Sequence, residues 1–263
     1  MKSIISKNKF VSILSIAGSD NSAGAGIQSD IKTAQSLGCY CFTAITCVTS
    51  QNSEKVYRIE NVSNNIILSQ VKSILNNYKI DAIKIGLLPN LSVIDPLNKL
   101  LSKKKLPLVV DPIFKSTTGQ KFMEQKNYIL IYNKLASLAS IFTPNHYEAK
   151  LLLNDEANKL KNKPLLKKIH KIYKIPIVLT GVSNEKISQI DYLIEKGRIS
   201  ELVVKKLESK STHGSGCCFS TALAINLARG HGLLRSVTNS QKHVIASIIN
   251  SHNFGVKYGP IGN

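Results

Sequence analysis

The run Val11-Ser12-Ile13-Leu14-Ser15-Ile16-Ala17-Gly18-Ser19-Asp20 decides the fold class. Its apolar stretch is short and halts at a glycine, as a buried strand does where it enters a loop. Small residues follow from Ser22 to Gly26, and an amphipathic segment occupies 26–37. Strand, small-residue loop and helix make one βα unit. Lys2, Lys7 and Lys9 ahead of the apolar run imitate a secretory leader. The run is too short for that reading and opens into Gly18-Ser19-Asp20, so a first strand and a cytoplasmic protein are expected.

The alternation continues outward along the 263 residues. Apolar runs rich in Ile, Val or Leu at 41–48, 82–86, 108–110, 140–143 and 177–179 stop at Gly, Pro or Asp and read as strands. The segments 64–78, 91–103, 128–139, 147–153 and 161–173 read as helices. Residues 187–206 alternate about Lys196-Gly197, which predicts an antiparallel hairpin. Helices are expected again at 216–229, closed by Gly230, and at about 236–254. The pattern implies an α/β fold with a mostly parallel sheet, and with no linker or repeat the chain 1–263 reads as one domain. Ligands of such a sheet gather beyond the carboxyl ends of its strands.

Composition narrows the function. The 43% apolar content supports a large core, and no stretch approaches the roughly 18 apolar residues of a membrane span. Five cysteines (39, 41, 47, 217, 218), with no Cys-x-x-Cys pair, give neither a disulfide framework nor a zinc site. The formal charge of +19 raises nucleic-acid binding. However, all but four (Arg58, Arg198, Arg229, Arg235) of the 35 basic residues are lysines spread along the whole chain. Groove reading favours arginine forks, so no specific nucleic-acid partner is expected. The surface should still draw in anionic substrates.

Thr212-His213-Gly214-Ser215-Gly216-Cys217-Cys218 carries the chemistry. Gly214 and Gly216 let the chain turn directly into an apolar helix, whose dipole and first N–H groups form an anion cradle. Cys217 lies on the first turn, where a thiol pKa is lowered, so a thiolate taking a proton from a substrate hydroxyl is expected. A buried small hydrophobe is the plainer alternative. Asp30 offers an acceptor for an amino or hydroxyl group, or is simply a first-turn carboxylate. Asp111 suits a Mg²⁺ or phosphate neighbourhood, or caps an Asp-Pro turn. Asn145 and Glu148 have capping-box spacing and alternatively order magnesium-bound water. Neither a Gly-x-Ser-x-Gly elbow nor a Walker A sequence is present.

Taken in order, these segments resemble the ribokinase-like superfamily. Within it they are most similar to the bacterial hydroxymethylpyrimidine/phosphomethylpyrimidine kinases of thiamine biosynthesis. The carrying residues are Ala17-Gly-Ser-Asp, Gly24-Ala-Gly-Ile-Gln-Ser-Asp30, Thr49-Ser-Gln51-Asn, Lys84-Ile-Gly-Leu87 and Val109-Val-Asp-Pro112. Further along come Thr143-Pro-Asn-His-Tyr-Glu148, Thr212-His-Gly-Ser-Gly-Cys217 and Gly259-Pro-Ile261.

The resemblance implies a three-layer αβα sandwich and an ATP- and Mg²⁺-dependent kinase. That enzyme would act on 4-amino-5-hydroxymethyl-2-methylpyrimidine and then on its monophosphate. It also implies that Gly18, Asp30 and Gln51 hold the pyrimidine and that Leu87 and Ile113 pack on its ring. Gly214, Ser215, Gly216 and Cys217 would form the anion hole, with Cys217 where sugar kinases carry a catalytic aspartate. Asp111, Asn145 and Thr180 would serve ATP and its phosphates, and Glu148 with Asp111 the metal. A homodimer is implied by analogy. Pyridoxal kinase on the same scaffold is the closest alternative. Three departures stand out: Thr180-Gly181-Val182 where Lys-Gly-Gly is frequent, Leu87 for methionine, and Asn21 for proline.

Overall fold

The computed structural model describes residues 10–153, 160–183, 188–205 and 207–263. Its nine strands are β1 (Ser12–Asp20), β2 (Tyr40–Gln51), β3 (Val56–Asn61), β4 (Ala82–Ile85), β5 (Leu108–Val110), β6 (Ile141–Phe142), β7 (Ile177–Ser183), β8 (Ser188–Glu195) and β9 (Arg198–Lys205). They form one sheet in the order β3-β2-β1-β4-β5-β6-β7-β8-β9. The six strands from β2 to β7 in that order are parallel, while β3 and the β8–β9 pair are antiparallel additions.

The helices are α1 (Gly26–Ser36), α2 (Asn64–Asn77), α3 (Ile94–Leu101), α4 (Gln125–Ala136), α5 (His146–Leu152), α6 (Asn162–Tyr173), α7 (Ser215–Ala228) and α8 (Leu233–Ile249). Side chains alternate across a strand, and two cores follow from that alternation. Leu14, Ile16, Ile83 and Ile85 pack with α2 to α6, whereas Ile13, Ala82 and Val109 pack with α1, α7 and α8. Helices therefore cover both faces, giving the expected three layers.

Several boundaries differ from the sequence reading. β3 was not expected; Val56, Tyr57 and Ile59 carried its signal, and it pairs as a half-exposed edge strand. β2 runs on to Gln51 because β3 supplies partners for residues up to that point. β7 likewise extends past Leu179 along β8. The single helix expected at 91–103 is a 3₁₀ turn, Leu91–Val93, leading into α3. α8 begins at Leu233 behind Gly232 and stops at Ile249 rather than near 254. The hairpin forms as expected, with Lys196 and Gly197 both at positive φ; its residues 187 and 206 lie outside the described set.

The connection from β1 leads through α1 to β2 on one side, while β4 lies on the other. That reversal of strand order opens a crevice at the carboxyl ends of β1 and β4.

Candidate active site

A cavity of about 530 Å³ fills this crevice. Every strand end singled out in the sequence reaches it: Gly18 and Asp20 after β1, Gln51 at the end of β2, and Leu87 after β4. Asp111 and Ile113 follow β5, Thr143 and Asn145 follow β6, and Thr180 lies within β7. Opposite them, Gly214, Ser215, Gly216 and Cys217 present the start of α7.

The turn before α7 is held by close backbone packing. Gly214 adopts φ +85°, and a Cβ there would stand 1.8 Å from the Gly24 carbonyl oxygen. A Cβ on Gly24 would in turn meet the His213 ring at 2.1 Å. These two glycines let the β1–α1 loop lie directly on the α7 turn. No side chain caps α7; the Ser215 N–H turns back to the Thr212 carbonyl and the Cys218 N–H to that of Gly214, which leaves the Gly216 and Cys217 amides, lacking an intrahelical acceptor, to face an anion.

His213, within the glycine-rich turn, ties three loops together. Its Nε2 is 2.9 Å from Asp20 Oδ2 and its Nδ1 is 3.0 Å from Thr117 Oγ1. Asp20 also accepts from the Ser22 and Ala25 amides at 2.8 Å each. Burial opposes its ionisation, yet hydrogen bonds from His213, Gln51 and Ser22 hold it well below the usual carboxylate range. Asn21, noted only as a loop substitution, accepts the Gln51 N–H at 2.7 Å and fixes the edge of the cavity.

Asp30 requires a correction. It is fully buried and does not line the cavity. Lys84 donates to both its carboxylate oxygens at 2.9 and 2.8 Å, with Ser15 and Thr221 hydroxyls adding to them. Strand alternation explains the partner. Lys84 stands between Ile83 and Ile85 and so projects from the opposite face of β4, toward α1 and α7. The carboxylate expected to meet a ligand is instead saturated beneath the site.

Cys217 requires another. It lines the cavity, but burial pushes its thiol up to about 12, overriding Lys84 and the Gly26 N–H. Desolvation outweighs the helix end, so the side chain enters the site as a thiol and not as the expected thiolate. All five cysteines are free.

Asn145 and Glu148 form the capping box that their spacing allowed. Asn145 Oδ1 accepts the Glu148 N–H at 3.0 Å, and Glu148 Oε2 accepts the Asn145 N–H at 3.0 Å, closing a capping box on α5. Both residues still line the cavity. Burial, reinforced by the charge of Asp111, pushes Glu148 up to about 8. Burial also raises Asp111, although Ser220 donates to it at 2.9 Å and Thr143 at 3.3 Å. Two neighbouring carboxyl groups with spare lone pairs suit a hard cation, whose charge would favour their ionised forms. Among the described residues no three His, Cys, Asp or Glu side chains form a ready-made metal cage. That fits Mg²⁺, which takes one or two carboxylates and completes its shell with water and substrate phosphates.

The far end of the cavity escaped the sequence reading. Val204, Leu207, Phe219, Val244, Ile245 and Ile248 make it apolar, and Asp191 and Gln241 add a polar corner, paired at 2.9 Å. Only tertiary contact between β8, β9, α7 and α8 brings them together.

Fold and site together define an α/β protein whose cavity lies beyond the strand ends and faces a helix start. The family described as phosphomethylpyrimidine kinase matches residues 20–262, and the chain belongs to that family. It is 32% identical to the hydroxymethylpyrimidine/phosphomethylpyrimidine kinase of Haemophilus influenzae, over 94% of this chain and 94% of that protein. It is 33% identical to a probable thiamine biosynthetic bifunctional enzyme, chloroplastic, of Oryza sativa subsp. japonica, over 95% of this chain. There the chain spans about half the relative's length, 46%. An ADP complex of Bacillus subtilis pyridoxal kinase superposes with a TM-score of 0.85 at 30% identity, over 96% of this chain and 97% of that one. No helix among the described residues is long and apolar enough to cross a membrane.

Proposed function

We propose that this chain transfers the terminal phosphoryl group of ATP to 4-amino-5-hydroxymethyl-2-methylpyrimidine, and then to its monophosphate, for thiamine biosynthesis. The single observation carrying this reading is geometric: the uncapped start of α7 opens into the same cavity as Gly18, Gln51, Leu87 and Ile113. Family membership supports the substrate class.

Phosphoryl transfer requires alignment and charge neutralisation more than covalent help from the protein. Gly18 and Gln51 offer the backbone and amide contacts for an aminopyrimidine, and Leu87 and Ile113 flank its ring. The turn Gly214-Ser215-Gly216-Cys217 receives the migrating phosphoryl group, with the Gly216 and Cys217 amides as its donors, since the Ser215 N–H is taken by the Thr212 carbonyl. Asn145 and Thr180 border the donor phosphates, and the apolar end near Phe219 takes the base. Asp111 and Glu148 would hold Mg²⁺, which supplies charge neutralisation between donor oxygens. The Cys217 thiol stands beside the anion turn and contacts the substrate alcohol. A single kinase unit, a homodimer and a cytoplasmic setting complete this reading.

The test is incubation of purified protein with the pyrimidine alcohol, Mg²⁺ and labelled ATP. Successive appearance of mono- and diphosphate supports the proposal; no phosphorylated pyrimidine overturns it. A second reading, pyridoxal kinase, is favoured by the full-length match to the Bacillus subtilis enzyme. Direct competition between the two alcohols separates them, since pyridoxal has no second phosphorylation to undergo.

A further inference from the structure

The cavity has an uneven charge inventory. Four carboxylates line it, from Asp20, Asp111, Glu148 and Asp191, yet Lys115 is the one lysine or arginine among its described lining residues. The other lysines and arginines among the described residues do not line it. A polyphosphate entering this pocket needs fixed positive charge as well as a metal. His213 is already committed between Asp20 and Thr117.

Lys115 is built into place. It follows Phe114, whose N–H donates to Glu148 Oε1 at 3.4 Å. The segment then doubles back: Lys115 bridges Lys121, Ser116 N–H donates to the Gln120 carbonyl, and Phe122 N–H donates to the Phe114 carbonyl. The ammonium group sits 3.9 Å from the centroid of the Tyr147 ring, on the first turn of α5, and its charge is felt by Glu148. Packing on an aromatic face orients the ammonium while leaving its N–H groups available. Lys115 is half-buried, so its charge is little screened. Thr180 approaches the same helix start from the other side, bridged to Asn145, and brings a hydroxyl without charge.

We infer that Lys115 is the phosphate-binding cation of this kinase, contacting the donor nucleotide's phosphates from the loop after β5. The inference rests on the reading that ATP occupies this cavity. Lys115 would thereby act on the donor's phosphates, and the split between the two substrates' KM values reads that out.

The test compares wild type, Lys115→Met, Lys115→Arg, Thr180→Lys and the double variant Lys115→Met/Thr180→Lys. ADP affinity is measured by calorimetry and KM for each substrate by steady-state kinetics. Loss of one charge-assisted contact should weaken ADP binding and raise the ATP KM about 10- to 100-fold, with the pyrimidine KM within about twofold. Lys115→Arg should keep most of the affinity. Thr180→Lys should restore the double variant, since it returns charge to the same helix start. Unchanged ADP affinity in Lys115→Met, beside an active wild type, overturns the assignment and leaves the kinase reading intact. A wild type that binds no nucleotide overturns both.

Discussion

Lys84 reaches from β4 to Asp30 on α1, its Nζ 2.9 and 2.8 Å from the two carboxylate oxygens, with both side chains fully buried. Removing one member strands the other charge in the core. Lys84→Met or Asp30→Leu should therefore each cost about 3–5 kcal/mol of stability, and the double substitution should cost clearly less than the sum. Denaturant unfolding of the three variants measures this. A stable Asp30→Leu protein with only a raised pyrimidine KM would return Asp30 to the role of a substrate contact.

Cys217 is expected to behave as a contact and not as an ionised base. Burial holds its thiol up at about 12, so kcat/KM should show no thiol ionisation between pH 6 and 9. Cys217→Ser should remain within about 10-fold of wild-type turnover, far short of the ~10²–10⁴ loss when a general base is removed. A rising limb in the profile that vanishes in Cys217→Ser would contradict this.

Glu148 gives the site a pH signature. Its carboxyl is raised from 4.5 to about 8, chiefly by burial and then by Asp111. Between those values the folded chain keeps a proton that the unfolded chain has released. The contribution of Glu148 to stability is thus present below pH 4.5 and lost as pH rises toward 8. Against Glu148→Gln, wild type should lose up to about 1.4 kcal/mol per pH unit in that window. Paired melts from pH 5 to 8 read the difference directly, and a flat line would show that Glu148 is already ionised.

Gln51 lies at the substrate end, its backbone N–H fixed by Asn21. Gln51→Ala should raise the KM for the pyrimidine alcohol about 10-fold, in line with one lost hydrogen-bonding side chain, and leave the KM for ATP alone. Initial-rate kinetics with each substrate varied in turn decide it; an effect confined to ATP would move Gln51 to the donor side.

The parallel core was legible because its strands are short apolar runs, most of which end at Gly, Pro or Asp. β3 was not, because a half-exposed edge strand such as Val-Tyr-Arg-Ile-Glu-Asn differs little from a loop in composition. The α7 turn could be read from its glycines, since close backbone approach leaves few residue choices. Asp30 and Cys217 were misjudged for a shared reason. Sequence places a carboxylate or thiol near a helix start, but tertiary burial, and for Asp30 a partner 54 residues away, decide what it can reach. Lys115 and the apolar pocket near Phe219 left no local pattern, since only tertiary packing collects them.

Ser220 and Thr221, neighbours on α7, grip Asp111 and Asp30 respectively. A single helix thereby joins a cavity-lining carboxyl to the buried Lys84 ion pair through consecutive residues, so a disturbance of that core pair reaches the cavity wall along one peptide bond.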